Sequence, residues 1–530
     1  MSISILDCTL RDGGYINNWN FKDGHIEKIL NALIKAKIDI IEFGYLNDNG
    51  FDCNSTLFKN THKIDDFIKK LSINKGIYKV AMINYGDFSL QQLPTSDECL
   101  LDGIRLAFHK EKFNEAVEYA KEIQNLGYDV FFQPMVTKKY SDIEFLEAIE
   151  KANKLKPKVF YIVDSFGSMN LQEFKKYTLL ANDNLDKDIV LGYHSHNNMQ
   201  LAFSNAVNLC EQILKREIVI DSSIYGMGRG AGNLNTELII DYLNKTSCSK
   251  YNIMPLLDVI DALLSGLMSK YSWGFSPAQY LSASLNIHPN YANYLTQKRT
   301  NNISMICEIL KQIPQENSSS FNKEIIEKLY IKNMIKAKIN TKGVISELKN
   351  KKILLIASGS SVKENESLIK DTINLEGYLT IAINHKPNFD CDYYFFSNQK
   401  RYDEFKNDIK SDSIILTNNI NGESNIVLDY SKIVFLNDNF ITNSTIIFLN
   451  YLVSEQVKEV GVVGLDGYDI NKNNYSYDEY DIEINGDVLM EQNGIIQKAL
   501  KILKNKIHIS FLTKNLFIRE RRDCDFFTLQ

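Results

Sequence analysis

The sequence predicts an α/β protein in two parts, an N-terminal (β/α)8 TIM barrel with a helical extension and a C-terminal Rossmann-like α/β domain. Three observations carry this. Up to about residue 240, short β-branched or aromatic runs alternate with amphipathic helical stretches. Most of the runs are unbrokenly apolar, as at 159–163, which suits parallel strands buried on both faces. A second series of such runs opens at 352, after a lysine-rich stretch. At 530 residues the chain exceeds one ordinary domain. We therefore expect a barrel over 1–250, a helical extension and linker over 251–345, and the second domain over 346–530.

The barrel strands are expected at 4–8, 38–43, 79–84, 103–108, 130–134, 159–163, 189–193 and 218–222. Helical patterns fill the gaps, for example 113–126 and 143–156, with Gly127 and Pro157 as stops. Eight strands in about 240 residues is the size of a TIM barrel, whose chemistry lies at the C-terminal strand ends. Here those ends are polar: Arg11-Asp12, Glu42, Asp164-Ser165, and His194-Ser195-His196. Glu42, closing the second strand, is expected at the substrate. The eighth strand leads into a loop with glycines at 226, 228, 230 and 232 before Asn233.

His194 and His196 lie two apart, so on a strand both imidazoles point to one face. With a carboxylate from another strand they form a three-ligand divalent-metal site with open positions. Asp12, beside Arg11 and before Gly13-Gly14, supplies that carboxylate.

Bulk properties remove several function classes. A formal charge of −6 gives no electrostatic reason to expect nucleic acid or an anionic membrane surface. The eight cysteines are scattered with no CxxC pair, which suits a reducing cytoplasm. No apolar run approaches the length of a membrane span. The expected location is cytoplasmic, and homo-oligomerisation stays open.

Thr9-Leu10-Arg11-Asp12-Gly13, His194-Ser195-His196 and Gly230-Ala231-Gly232-Asn233 together resemble the DRE-TIM metallolyase superfamily. Asp164-Ser165 and the glycine-rich loop are most similar to its 4-hydroxy-2-oxovalerate aldolase branch. The resemblance covers about the first 240 residues. It implies Mn²⁺ or Mg²⁺ on Asp12, His194, His196 and Asn233. Arg11 would stabilise an enolate oxygen, and Ser165 would bind the substrate carboxylate. The implied activity is aldol cleavage or condensation of a 2-keto acid with an aldehyde.

Tyr15 stands where those aldolases carry a His general base, and we assign it to catalysis. The alternatives are a Claisen-type acyl-CoA condensing enzyme and a non-catalytic barrel supporting the second domain. Gly14 weighs against the former, because isopropylmalate-synthase-like members carry an acidic residue there.

In the second domain, strands are expected from 352 and at 380–383, 393–396, 413–416, 433–435 and 460–464. Ser358-Gly359-Ser360-Ser361, Ile383-Asn384, Asn443-Ser444-Thr445 and Gly464-Leu465-Asp466-Gly467-Tyr468 resemble bacterial sialyltransferase-like and pterin-pyrophosphokinase-like domains. The catalytic His that the sialyltransferases place after the last motif is missing from 469–491. The expectation is a nucleotide or nucleotide-sugar ligand at Gly359, Ser360, Ser361 and Asp466, which would suit surface-polysaccharide assembly.

Overall fold

The computed structural model describes residues 2–71, 73, 76–214, 216–247, 250–469, 473–477 and 486–517, the Asp487 side chain excepted. The chain forms two compact units. One comprises Met1–Asn293 with Pro314–Phe321, the other Tyr294–Ile313 with Asn322–Gln530. The helical stretch 251–345 is thus divided between them.

The first unit is a closed parallel barrel. Its strands are β1 (Ile3–Asp7), β2 (Ile40–Phe51), β3 (Tyr78–Asn84), β4 (Gly103–Phe108), β5 (Asp129–Pro134), β6 (Val159–Asp164), β7 (Val190–Ser195) and β8 (Ile218–Ser222). Each pairs with the next, and β1 closes the circle, with Ile5 opposite Ile220 and Leu6 opposite Ile40.

Helices α1 (Asp23–Ala36), α2 (His62–Lys70), α3 (Phe113–Asn125), α4 (Asp142–Leu155), α5 (Leu171–Asn184), α6 (Ala202–Glu211) and α7 (Thr236–Thr246) form the connections. Reciprocal caps start two of them: Ser141 with Glu144 opens α4, and Asn170 with Glu173 opens α5. Between β3 and β4 the expected helix is replaced by the short 3₁₀ turn Leu90–Gln92. Gly86, Pro94 and six Ser, Thr or Asp residues in that stretch deny it an amphipathic stripe.

The alternation of side chains gives two apolar layers. Outward residues such as Ile41, Ile104 and Phe132 pack under the helices with Ile29, Leu33 and Ile123. Inward residues Leu6, Ile40, Val80, Phe131, Val159, Tyr161 and Val219 fill the barrel floor. This floor keeps the polar residues at the far end of the strands off bulk water. After α7 the chain runs through Met254–Val259, a π turn at Ile260–Leu264, and Ser265–Tyr271.

The second unit is a parallel sheet of β9 (Ile353–Ile356), β10 (Leu379–Ile383), β11 (Tyr393–Phe396), β12 (Ile414–Thr417), β13 (Ile426–Leu428), β14 (Glu459–Val463) and β15 (His508–Phe511). Their order is 13-12-11-10-9-14-15, so the winding reverses beside β9. One expected strand is corrected. Residues 430–433 form a helical turn capped by Asp429, whose side chain accepts from Ser431 N (3.1 Å). The sheet takes Ile426–Leu428 instead.

Asp7 at the end of β1 is fully buried and accepts from Thr9 N (3.0 Å) and Thr236 Oγ1 (2.7 Å). Burial pushes its carboxyl up to about 6 against these hydrogen bonds. The native state therefore keeps a proton that the unfolded chain releases near pH 4, and this contribution to stability is lost as pH rises to about 6. Asp7→Asn should gain on wild type over that interval, by on the order of 2 kcal/mol in urea unfolding. A difference that does not change with pH would show that Asp7 ionises normally.

Candidate functional site

At the C-terminal end of the barrel the buried polar side chains form a closed circuit of charge. Asp12 Oδ2 meets Arg11 Nη1 (2.5 Å), and Arg11 Nε meets Glu42 Oε2 (2.9 Å). The same Glu42 oxygen forms an ion pair with Arg105 Nη1 at 2.7 Å, and Arg105 Nη2 binds Asp221 Oδ2. Asp221 Oδ2 holds His194 Nδ1 (3.0 Å), and His194 Nε2 returns to Asp12 Oδ2 (3.3 Å). Members come from β2, β4, β7, β8 and the turn after β1, so strand register and that turn together fix the circuit. Arg105 is 0% exposed and lies over the Tyr161 ring, whose hydroxyl donates to Asp221 Oδ1 (3.0 Å).

The electrostatics follow from this geometry. Burial alone would raise Asp12; Arg11, His196 and His194 overcome it and hold the carboxyl well below its usual range. Asp221 is likewise lowered, with Arg105 and His194 outweighing burial. Three carboxylates face two guanidiniums, so with neutral histidines the circuit carries one net negative charge. That charge suits a cation.

The ligand atoms of Asp12, His194 and His196 lie within 4.8 Å of one another. Their chemistry fits a divalent ion. With Asp221 on Nδ1, the His194 ring turns Nε2 toward Asp12. Burial, reinforced by His194, Arg229 and Arg11 against the pull of Asp12, lowers His196 to about 3, so its lone pair is free at neutral pH. Asp12 Oδ1 is buried without a hydrogen-bond partner, and so is Asn233 Oδ1. Asn233 is bridged to His196 through the backbone and anchored by Nδ2 on Met227 O (3.1 Å).

The other expected residues surround this group. The half-buried Tyr15 packs on Trp19 (ring centroids 4.5 Å apart), and the Arg229 guanidinium lies 4.1 Å above its ring. Gly14 permits this packing, since a Cβ there would fall 2.1 Å from the Trp19 indole. Ser165 Oγ accepts from Val136 N (2.9 Å), fastening the turn after β5. Glu42 gives one oxygen to both arginines and so orients Arg11, whose Nη2 is left buried without a partner.

Arg105 and Asp221 were missed by sequence reasoning. Their signal was legible: Gly-Ile-Arg-Leu-Ala-Phe and Ile-Val-Ile-Asp-Ser each break a buried strand with one charge at an inward position.

Residues 2–261 match the HMGL-like family model. The chain belongs to the HMGL-like family through this barrel. A 4-hydroxy-2-oxovalerate aldolase from Geobacillus genomosp. 3 is 23% identical over 308 residues, 54% of this chain and 89% of that protein. An oxaloacetate decarboxylase from Mycobacterium tuberculosis is 23% identical over 278 residues, 52% of this chain and 79% of that one. The solved N-terminal domain of a Bacteroides vulgatus protein is 30% identical, with TM-score 0.48, over 55% of this chain and 96% of that chain. The HMGL-like barrel is a DRE-TIM domain and an enzyme of the lyase class. No helix among the described residues is long and apolar enough to cross a membrane.

In the second unit, Gly359, Ser361 and Asp466 come together, but through the protein's own carboxylate. Asp466 accepts from Ser361 N (2.8 Å) and Ser361 Oγ (2.5 Å), so an anion already occupies that turn. Ser360 opens the short helix Ser361–Glu364. Beside it, at the ends of β9, β10 and β11, a crevice is lined by Arg299, Asn384, Asn398, Arg401, Ser444 and Tyr475.

The HMGL-like site carries a prediction about Asp221. Asp221→Asn keeps the shape but weakens the hold on His194, so Mn²⁺ affinity should fall roughly 10- to 100-fold. Metal titration by electron paramagnetic resonance reads this directly, and unchanged affinity would remove Asp221 from metal support.

Proposed function

We propose that the barrel is a divalent-metal-dependent aldolase acting on a 2-keto acid through its enolate. The single observation that carries this is the pairing of the Asp12–His194–His196 group with an Arg11 guanidinium held from behind by Glu42. Asp12, His194 and His196, with Asn233 as fourth donor, would hold Mn²⁺ or Mg²⁺, a choice that carboxylate and imidazole donors suit. When bound, that ion polarises the keto oxygen and offsets negative charge developing there.

The chain's own residues do the rest. Arg11 presents an unpaired Nη2 N–H where enolate charge grows, and its rigidity means little reorganisation as the charge appears. Ser165, whose Oγ accepts from the backbone, keeps its hydroxyl proton available for the substrate carboxylate. Tyr15 moves the proton at the substrate methyl carbon, with the Arg229 cation over its ring. Glu42 and Arg105 position Arg11 and His194 rather than touching substrate. The names of the relatives, aldolase and decarboxylase, support a keto-acid substrate.

For the second unit we propose a phosphorylated or nucleotide ligand in the crevice, supported by Arg299, Arg401 and the neighbouring amides. Because Asp466 takes the Ser361 turn, the ligand's phosphate would meet the two arginines instead.

Exchange of the pyruvate methyl protons with deuterium, followed by NMR, tests the barrel reading. Wild type with Mn²⁺ should exchange, His196→Ala should not, and Tyr15→Phe should be slower by roughly 100-fold. Wild type that binds metal yet leaves pyruvate, 2-oxobutyrate and oxaloacetate untouched would overturn the keto-acid assignment. Arg11→Lys should retain metal but lose exchange, because an ammonium cannot reproduce the guanidinium fork.

A further inference from the structure

The rim of the barrel holds cations other than Arg11. On the turn after β5, Lys138 pairs with Glu173 (3.1 Å), and after β4 Lys110 pairs with Glu144 (2.6 Å). Lys139 differs. It is half-buried, donates to Ser318 Oγ (2.6 Å) and Ser319 Oγ, and has no carboxylate at ion-pairing distance among the described residues. The turn that carries it is strained: Val136, a β-branched residue, is held at φ 54° by the Ser165 hydroxyl.

Arg229 shows the same pattern on the loop after β8. Its guanidinium covers Tyr15, its Nε is buried without a partner, and no carboxylate among the described residues pairs with it. Both cations act on His288, whose backbone N–H donates to Ser318 O (2.8 Å). The basic groups acting on it are Arg229, His109, His196 and Lys139, while the nearest carboxylate charge felt by Lys139 is that of Glu111, which is not at ion-pairing distance. Burial, together with Arg229 and the other basic groups, lowers His288 to about 3. Half-buried cations with no carboxylate at ion-pairing distance favour an anion from outside.

We propose that Lys139, Arg229 and the Ser319 hydroxyl bind the anionic group of the second substrate, an aldehyde carrying a phosphate or a carboxylate. The inference rests on the keto-acid reading and adds the partner to it. In the condensation, the enolate carbon of the keto acid forms a C–C bond to the aldehyde carbon. The aldehyde π pair moves to oxygen, which takes up a proton equivalent to the one lost from the methyl carbon. In the reverse direction the same bond breaks and the anionic aldehyde leaves.

The test compares aldehydes within one protein, so that a general loss of activity cancels. Condensation with pyruvate is measured for glyceraldehyde 3-phosphate against glyceraldehyde, and for succinic semialdehyde against propionaldehyde. Wild type should prefer the charged member by at least about tenfold in kcat/KM, and the ratio should collapse in Lys139→Gln and in Arg229→Gln. The pair showing the larger ratio identifies phosphate or carboxylate.

Deuterium exchange without any charge preference overturns the subsite while sparing the keto-acid reading. A preference that survives both substitutions overturns its assignment to these residues. If wild type fails to exchange, the keto-acid reading falls, and calorimetric titration with inorganic phosphate decides the subsite separately. Binding weakened about tenfold or more in both variants, and to a smaller degree in Ser319→Ala, is the expected result. Equal or absent binding overturns it.

Discussion

The contact between Glu42 and two guanidiniums is what the rest of the site depends on. A single carboxylate oxygen, completely buried, holds Arg11 at 2.9 Å and Arg105 at 2.7 Å. Through Arg11 it fixes Asp12, and through Arg105 it fixes Asp221 and then His194. Removing one partner from such a buried array leaves an uncompensated charge, which costs roughly 3–5 kcal/mol. The array is therefore rigid by necessity, and it holds the face formed by Asp12, His194 and His196 in shape.

Rigidity here comes from the fold rather than from local turns. Every member but Arg11 and Asp12 stands on a strand, at an inward position one step above the apolar floor of Ile40, Phe131, Tyr161 and Val219. The floor excludes water from below, and the resulting low dielectric strengthens each contact. Arg11 and Asp12 lie on the turn after β1, where Trp19 Nε1 donates to Arg11 O (2.8 Å) and closes it from the side.

Much of this was legible in the sequence because parallel strands buried on both faces advertise themselves. Seven helices and all eight barrel strands follow the expected alternation, and the β4 and β8 boundaries agree residue for residue. His194 and His196 announced a shared face by their spacing. What the sequence hid was pairing across the barrel. Arg105 and Asp221 are 116 residues apart, and only closure of the sheet brings them together. The misplaced strand at 433–435 has a local cause, since Ile433-Val434-Phe435 is as β-prone as Ile426-Val427-Leu428 and the Asp429 cap decides between them. The Ser361 turn was read as open to phosphate because nothing nearby in sequence indicated that Asp466, 105 residues on, would fill it.

The chain leaves the barrel unit at 293, returns to it for Pro314–Phe321, and leaves again. That brief return supplies Ser318 and Ser319, the hydroxyls that hold Lys139. Gene fusion usually joins modules at one junction, and a module joined that way can be exchanged by recombination at that junction. Here a break at any single point would strand a piece of one unit on the other, so exchanging one unit whole takes more than one junction.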